Sequence, residues 1–468
     1  MFGMRKNYEE SESSAAERRL ETEKKIIYGE DILYQKPPRV KKEQCKIFFD
    51  DADGGRGFGL TEDVLSKHLL LLGGTGSGKT NVINFMIDSL QRVMTDDDIM
   101  IIFDSKGDYK NRFFDADNDR HILIGHNAEY KNITKSWNIF DELKNEKGEF
   151  EEEESMLVAK EISAQLFKGR ESQQQPFFAL AAADIVSKVL IHKIREQKEE
   201  GKDIDLHTAD FVRYTEKISA VGYYNMLRKY EDFRNAATYL GLDAAGKMLG
   251  GQGMSVLATI NSMVNDIFTG PFSKDYGNGS ISMRELVRKK GRKMVFIEYD
   301  LGVGMTLAPI YRLLIDLALK EAMGGRANRR GNTYLIIDEA SLLVDLEHFQ
   351  DALNFGRSLG VKVVAGLQSI MQFYDGYGKE KGKVIAAGFM NSICFQTWDL
   401  ESRKFISERF GINYQNIAFR YDGNPIVIQR EGNAIEDWDI MELGVGEAFV
   451  NLTQNGPVCF RFKFKKFD

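Results

Sequence analysis

The segment LLLLGGTGSGKT at residues 69–80 constrains this 468-residue chain more than any other stretch. Gly73, Gly78, Lys79 and Thr80 satisfy the spacing G-x-x-x-x-G-K-[ST], with Gly74, Thr75, Gly76 and Ser77 filling the turn. Glycines let backbone N–H groups turn inward around phosphate oxygens, and a following helix adds the positive end of its dipole. In such a loop Lys79 bridges the β- and γ-phosphates and Thr80 offers its hydroxyl to Mg²⁺. The flanks have the required order. HLLLLGG is apolar, short and closed by glycines, as in a strand inside a parallel sheet, whereas NVINFMIDSLQRVM (81–94) spaces its apolar residues as a helix does. ATP with Mg²⁺ is therefore the expected ligand.

The rest of the chain extends this pattern. DIMIIFD (98–104) reads as a second buried strand, which predicts a βαβ unit with the loop at its first turn. From about 150 to 275 the texture is helical, as in SMLVAKEISAQLF and SVLATINSMVNDIF. Strands then alternate with helices through KMVFIEYD, TYLIIDEA and VKVVAGLQS. That alternation predicts an α/β fold, a doubly wound and mostly parallel sheet interrupted by an all-helical insert. The tail segments NPIVIQREG, GEAFVNL and GPVCFRFKFKKF predict an antiparallel edge addition, and residues 8–26 predict a polar helix. The expected boundaries are a charged N-terminal helix and linker at 1–42, a nucleotide-binding domain at 43–143 with 279–468, and the insert at 144–278.

Four further residues suit hydrolysis. TYLIIDEA (333–340) puts Asp338 and Glu339 at the end of an apolar strand, where the first acid holds the metal and the second orients the attacking water. Paired acids there also cap the next helix in proteins without this chemistry. Arg357, in LNFGRSLG, is the candidate arginine finger reaching a neighbouring subunit's γ-phosphate. Gln368 closes VKVVAGLQS and stands beside the loop if its strand is central, where its amide senses the γ-phosphate. Asp104, Lys106 and Asp108 cluster after the second strand, at the sheet edge where ligands of open α/β folds bind.

Charge and composition exclude several classes. A formal net charge of −7 argues against a surface coated uniformly in nucleic acid, so any such contact is local. Acid gathers at 146–155 and base at Arg284–Lys293, a candidate for backbone contact, although such runs more often form solvated faces. No apolar run approaches the ~20 residues of a membrane span, and the first 25 residues lack an apolar block, so the chain as given reads as cytosolic. Cys45, Cys394 and Cys459 are far apart, with no metal-binding spacing, and read as reduced thiols.

The run DEASLLVDLEHFQDALNFGRSLGVKVVAGLQS resembles the corresponding stretch of conjugative type IV secretion coupling proteins, the TraG/TraD-type DNA pumps of the wider HerA/FtsK group. FDSKGDYKNRFF, WNIFDEL, GQGMSVLATINSMVNDIF and ISMRELVRKKGRKMVFIEYD follow that family's order, and the likeness spans about 68–400. It implies a RecA-like motor, a homo-hexameric ring threading single- or double-stranded DNA without sequence preference, and ATP hydrolysis coupled to translocation in conjugation. It also implies the nucleotide and metal roles of Lys79, Thr80, Asp338 and Glu339, the finger role of Arg357 and the sensing role of Gln368. Its expected partners are relaxase or relaxosome proteins and secretion-channel components, with the insert facing the cargo. Family members usually begin with transmembrane helices that this chain lacks, so the expectation is a soluble member, one recruited to the inner membrane face by a separate membrane partner, or an incomplete chain. Two other readings stand beside it: a soluble HerA-like ATPase for DNA processing or defence, and an ATP-gated protein-recruitment platform that threads no DNA.

Overall fold

The computed structural model describes residues 23–29, 32, 35–170, 176–241, 251–324, 330–421 and 424–466. The chain divides into two compact units, Met1–Val93 with Ile337–Ser341 and Lys362–Asp468, and Met94–Ile336 with Leu342–Val361. The fold is α/β, with mostly parallel sheet.

In the first unit the strand Leu69–Leu72 lies between two parallel partners. Val361–Leu367 pairs from Val364 with Leu69 to Leu367 with Leu72, and Asn391–Phe395 pairs from Asn391 with Leu69 to Cys394 with Leu72. Four consecutive leucines replace polar–apolar alternation because every side chain of this strand is buried. Glu447–Leu452 and Asn455–Arg461 then add antiparallel strands beyond Asn391–Phe395, as expected for most of the tail. Asn424–Asn433 departs from that expectation. It pairs with Ile412–Tyr421, which pairs in turn with Glu23–Tyr28, making a separate three-stranded sheet. The polar helix expected over 8–26 therefore meets a strand at its end, where the β-branched and aromatic residues of EKKIIY suit a pleated surface better. Residues 1–22 lie outside the described residues. The short strand Ile47–Phe49 pairs with Phe58–Leu60.

In the second unit the strands follow the order Thr333–Ile337, Ile99–Asp104, Lys293–Glu298 and His121–Gly125. Both Ile99–Asp104 and His121–Gly125 run parallel to Lys293–Glu298. Between the short strands Ser136–Trp137 and Ser280–Ile281, the regular elements among the described residues are all helical, the longest being Glu152–Phe167, Phe177–Glu199 and Gly251–Ile267. Ala159, Ile162 and Leu166 share one face of the first, and Val186, Val189 and Leu190 one face of the second; all six are fully buried. Among the described residues no helix is long and apolar enough to cross a membrane.

Arg284 and Arg288, in the basic run at Arg284–Lys293, are paired internally, while Lys289 is exposed. The Arg284 Nε donates to Glu321 at 2.9 Å, its Nη1 to the Glu142 carbonyl at 2.6 Å and its Nη2 to Glu154 at 3.1 Å, while the Arg288 Nη2 donates to Glu321 at 3.0 Å. A buried guanidinium is tolerated only when paired, and this pairing consumes the charge that the sequence seemed to offer to DNA. Glu142, itself fully buried, accepts from the Trp137 indole, the Ser282 hydroxyl and the Met283 and Arg284 amides. The WNIFDEL segment thus serves to anchor the helix Met283–Lys289.

Candidate nucleotide site

The loop between Leu72 and Lys79 takes its shape from glycine. Gly76 and Gly78 hold φ of +76° and +117°, a region side chains rarely adopt. At Gly73 the constraint is space, since a Cβ there would stand 2.6 Å from the Phe395 Cβ. Three backbone bonds from distant strands and turns hold the loop. The Gly73 N–H donates to the Leu367 carbonyl at 3.1 Å, the Gly74 N–H to the Gln396 carbonyl at 2.8 Å, and the Gly446 N–H to the Ser77 carbonyl at 2.9 Å. The sequence gives no sign of these roles for Gln396 and Gly446, because a main-chain bond leaves no residue-type signature.

Lys79 opens the helix Lys79–Val93 and is buried, its Nζ donating to the carbonyls of Gly73 and, at 3.1 Å, Gly74. The Ser77 hydroxyl is buried without a hydrogen-bond partner among the described residues. An orphaned hydroxyl, an ammonium and two left-handed glycines at a helix start fit a phosphate. Thr80, half-buried, and Asp338, buried, supply a hydroxyl and a carboxylate. That donor set fits Mg²⁺, which takes few protein ligands and completes its shell with phosphate oxygens and water.

Asp338 and Glu339 follow directly on the strand Thr333–Ile337. Gly366 lets the two strand ends approach, since a Cβ there would meet the Asp338 carbonyl oxygen at 2.1 Å. This requirement belongs to no motif, although the small pair Ala365–Gly366 after the valine-rich run VKVV is its one signal in the sequence. Burial pushes the Glu339 carboxyl above its ordinary pKa. The Ser341 hydroxyl at 2.7 Å, the Gln368 amide at 2.6 Å and the charge of Lys79 pull it back.

Gln368 joins both halves of the site. Its Nε2 donates to the Glu339 Oε2, and its Oε1 accepts from the Thr75 hydroxyl of the loop at 3.1 Å. The Gln372 carboxamide accepts from the Gln368 and Ser369 amides at 3.3 and 3.2 Å and so fixes the backbone of this turn. The first unit thus brings together Thr75, Lys79, Glu339 and Gln368 from segments nearly 300 residues apart. Arg357 belongs to the second unit, exposed on the short turn Gly356–Leu359. Asp104 is fully buried and accepts from the Tyr109 and Lys110 amides at 2.9 and 2.8 Å, which makes it the brace of the helix Asp108–Phe113; Lys106 and Asp108 are exposed.

A glycine-rich loop between a parallel strand and a helix, with an acid pair at the end of another strand, defines a P-loop nucleoside triphosphatase. Residues 57–417 match the family model described as the type IV secretion-system coupling protein DNA-binding domain. The chain belongs to that family. No curated protein matches it. Among solved structures it is similar to the bacterial conjugative coupling protein TrwBdeltaN70 in an unbound monoclinic form, with a TM-score of 0.69 at 19% identity, and in a trigonal form with sulphate, 0.68 at 18%. It is also similar to plasmid coupling protein TrwB in complex with ADP and Mg²⁺, 0.67 at 18%. Each comparison covers 92% of this chain and 91% of the other, and at such identities the likeness is one of fold.

Proposed function

We propose that this protein is an ATP-hydrolysing DNA translocase, the motor of a conjugative coupling complex. The observation that carries the reading is the hydrogen-bonded set Thr75–Gln368–Glu339, which ties the phosphate loop to the acid best placed to activate water. The ADP and Mg²⁺ complex of the structural relative supports ATP and Mg²⁺ as the ligands.

In this reading the loop amides of residues 73–78 and the Lys79 ammonium hold the phosphates, and Thr80 with Asp338 holds the cation. Mg²⁺, when bound, neutralises charge shared by the β- and γ-phosphates. Glu339, ionised, orients water and accepts its proton. Gln368, bonded to both the loop and Glu339, registers the γ-phosphate at the point where hydrolysis removes it. Arg357 from a neighbouring subunit of a homo-hexamer stabilises the developing charge. The helical segment 144–278 receives relaxase or relaxosome proteins, while residues 43–143 and 279–468 form the motor. The assembly works on the cytoplasmic side of the membrane, docked to secretion-channel components and a membrane partner.

ATP turnover with and without single- and double-stranded DNA tests this. Acceleration by DNA of either kind is expected, weakening steeply with salt because the contact is to phosphates, and Lys79→Ala should bind no nucleotide. Turnover that ignores DNA and responds only to a protein partner would overturn the translocase reading.

A further inference from the structure

We propose that an aromatic cleft beside the first turn of the helix Lys79–Val93 receives the purine base of the nucleotide, an inference that rests on the ATP-site reading above. The cleft, about 220 Å³, is lined by Phe49, Asn81, Phe85, Phe462, Phe464 and Lys465, among others. Asn81 follows Thr80 directly, so the cleft begins where the phosphate loop ends.

Its position relative to the loop is fixed by backbone bonds. The Phe462 N–H donates to the Gly446 carbonyl at 2.8 Å, and the Gly446 N–H donates to the Ser77 carbonyl at 2.9 Å. Phe462, which follows directly on the strand Asn455–Arg461, is therefore fastened to the phosphate loop through a single intervening residue. In this proposal a ligand whose phosphates sit at Ser77 and Lys79 would lay its base against this wall.

The lining has the chemistry of a stacking site. Phe49 packs against Phe85 and against Phe462, each pair with ring centroids 5.1 Å apart, and forms a rigid floor. Phe464 is 75% exposed. A phenylalanine so open to water gains little from folding, yet a base laid on its ring would cover it. Lys465, tied to Asp88 at 2.6 Å and placed 5.8 Å over the Phe85 ring, closes the far end. The Asn81 carboxamide offers a donor and an acceptor, the pair that the N6/N7 edge of adenine matches. Every purine has a π-face, so stacking of this kind accepts adenine and guanine alike.

The test compares binding of ATP, GTP, CTP and inorganic tripolyphosphate, each with Mg²⁺, by calorimetry on the full chain. Wild type should hold ATP and GTP more tightly than CTP or tripolyphosphate. Phe464→Ala should weaken ATP roughly five- to tenfold and leave tripolyphosphate unchanged; its exposure makes unfolding no concern. Asn81→Ala, with Phe464 intact, should erode the preference for purines. An unchanged ATP affinity in Phe464→Ala, or an equal loss for ATP and tripolyphosphate, overturns the cleft and leaves the phosphate loop standing. Failure of wild type to bind either ligand overturns the loop reading and the cleft together.

Discussion

Gln368 donates its side-chain amide to Glu339 across 2.6 Å, and these two residues stand on the ends of different strands. A donor aimed at a carboxylate favours its ionised form. The same amide group is bonded to Thr75, so any displacement of the loop reaches Glu339 through one side chain.

Removing that donor should therefore change the pH profile as well as the rate. Gln368→Ala is expected to lower turnover on the order of 10²-fold with little change in ATP affinity. Its acid limb should move to higher pH, because burial then raises the Glu339 pKa with one less bond opposing it. Steady-state kinetics from pH 5 to 9 would check both effects, and an unmoved acid limb would sever Gln368 from Glu339 in function.

Glu339→Gln should bind ATP and hydrolyse it roughly 10²- to 10⁴-fold more slowly. It should also melt higher than wild type at pH 8, on the order of 2 °C. The folded-state pKa of Glu339 lies above the unfolded value, so its contribution to stability is present below the unfolded pKa and lost as pH rises through the folded one. Glutamine carries no such cost. Melting curves at pH 5 and pH 8 should show the advantage only at the higher pH.

Arg357→Ala should bind ATP normally and lose about 10³-fold or more in turnover, the scale on which arginine fingers act. If the arginine serves a neighbour's site, small doses of this variant should poison mixed rings. A loss merely proportional to the dose would assign Arg357 to its own subunit.

Arg284→Ala should destabilise the protein by about 3–5 kcal/mol, because it leaves the buried Glu321 and the Glu142 carbonyl with fewer partners. DNA affinity of the folded fraction should stay the same. Chemical denaturation alongside a DNA titration separates the two, and a DNA defect without a stability defect would restore this run as a binding surface.

The sequence by itself determined most of the elements and the residue types that gather at the loop and the acid pair. Leu69–Leu72 reads as a buried strand, the glycines of 73–78 as a loop that turns its amides inward, and Asp338 with Glu339 as the end of an apolar strand. These are local consequences of side-chain pattern and backbone sterics. Tertiary structure alone decided the neighbours. The P-loop strand pairs with Val361–Leu367 and Asn391–Phe395, segments about 290 and 320 residues further along the chain. It likewise turned Arg284 inward, bound the loop to Gln396 and Gly446, and set Gln368 between Thr75 and Glu339. Strand pairing runs through main-chain groups that every residue shares, so composition cannot encode it. Whether a charged side chain faces a buried carboxylate or the solvent depends on segments hundreds of residues away.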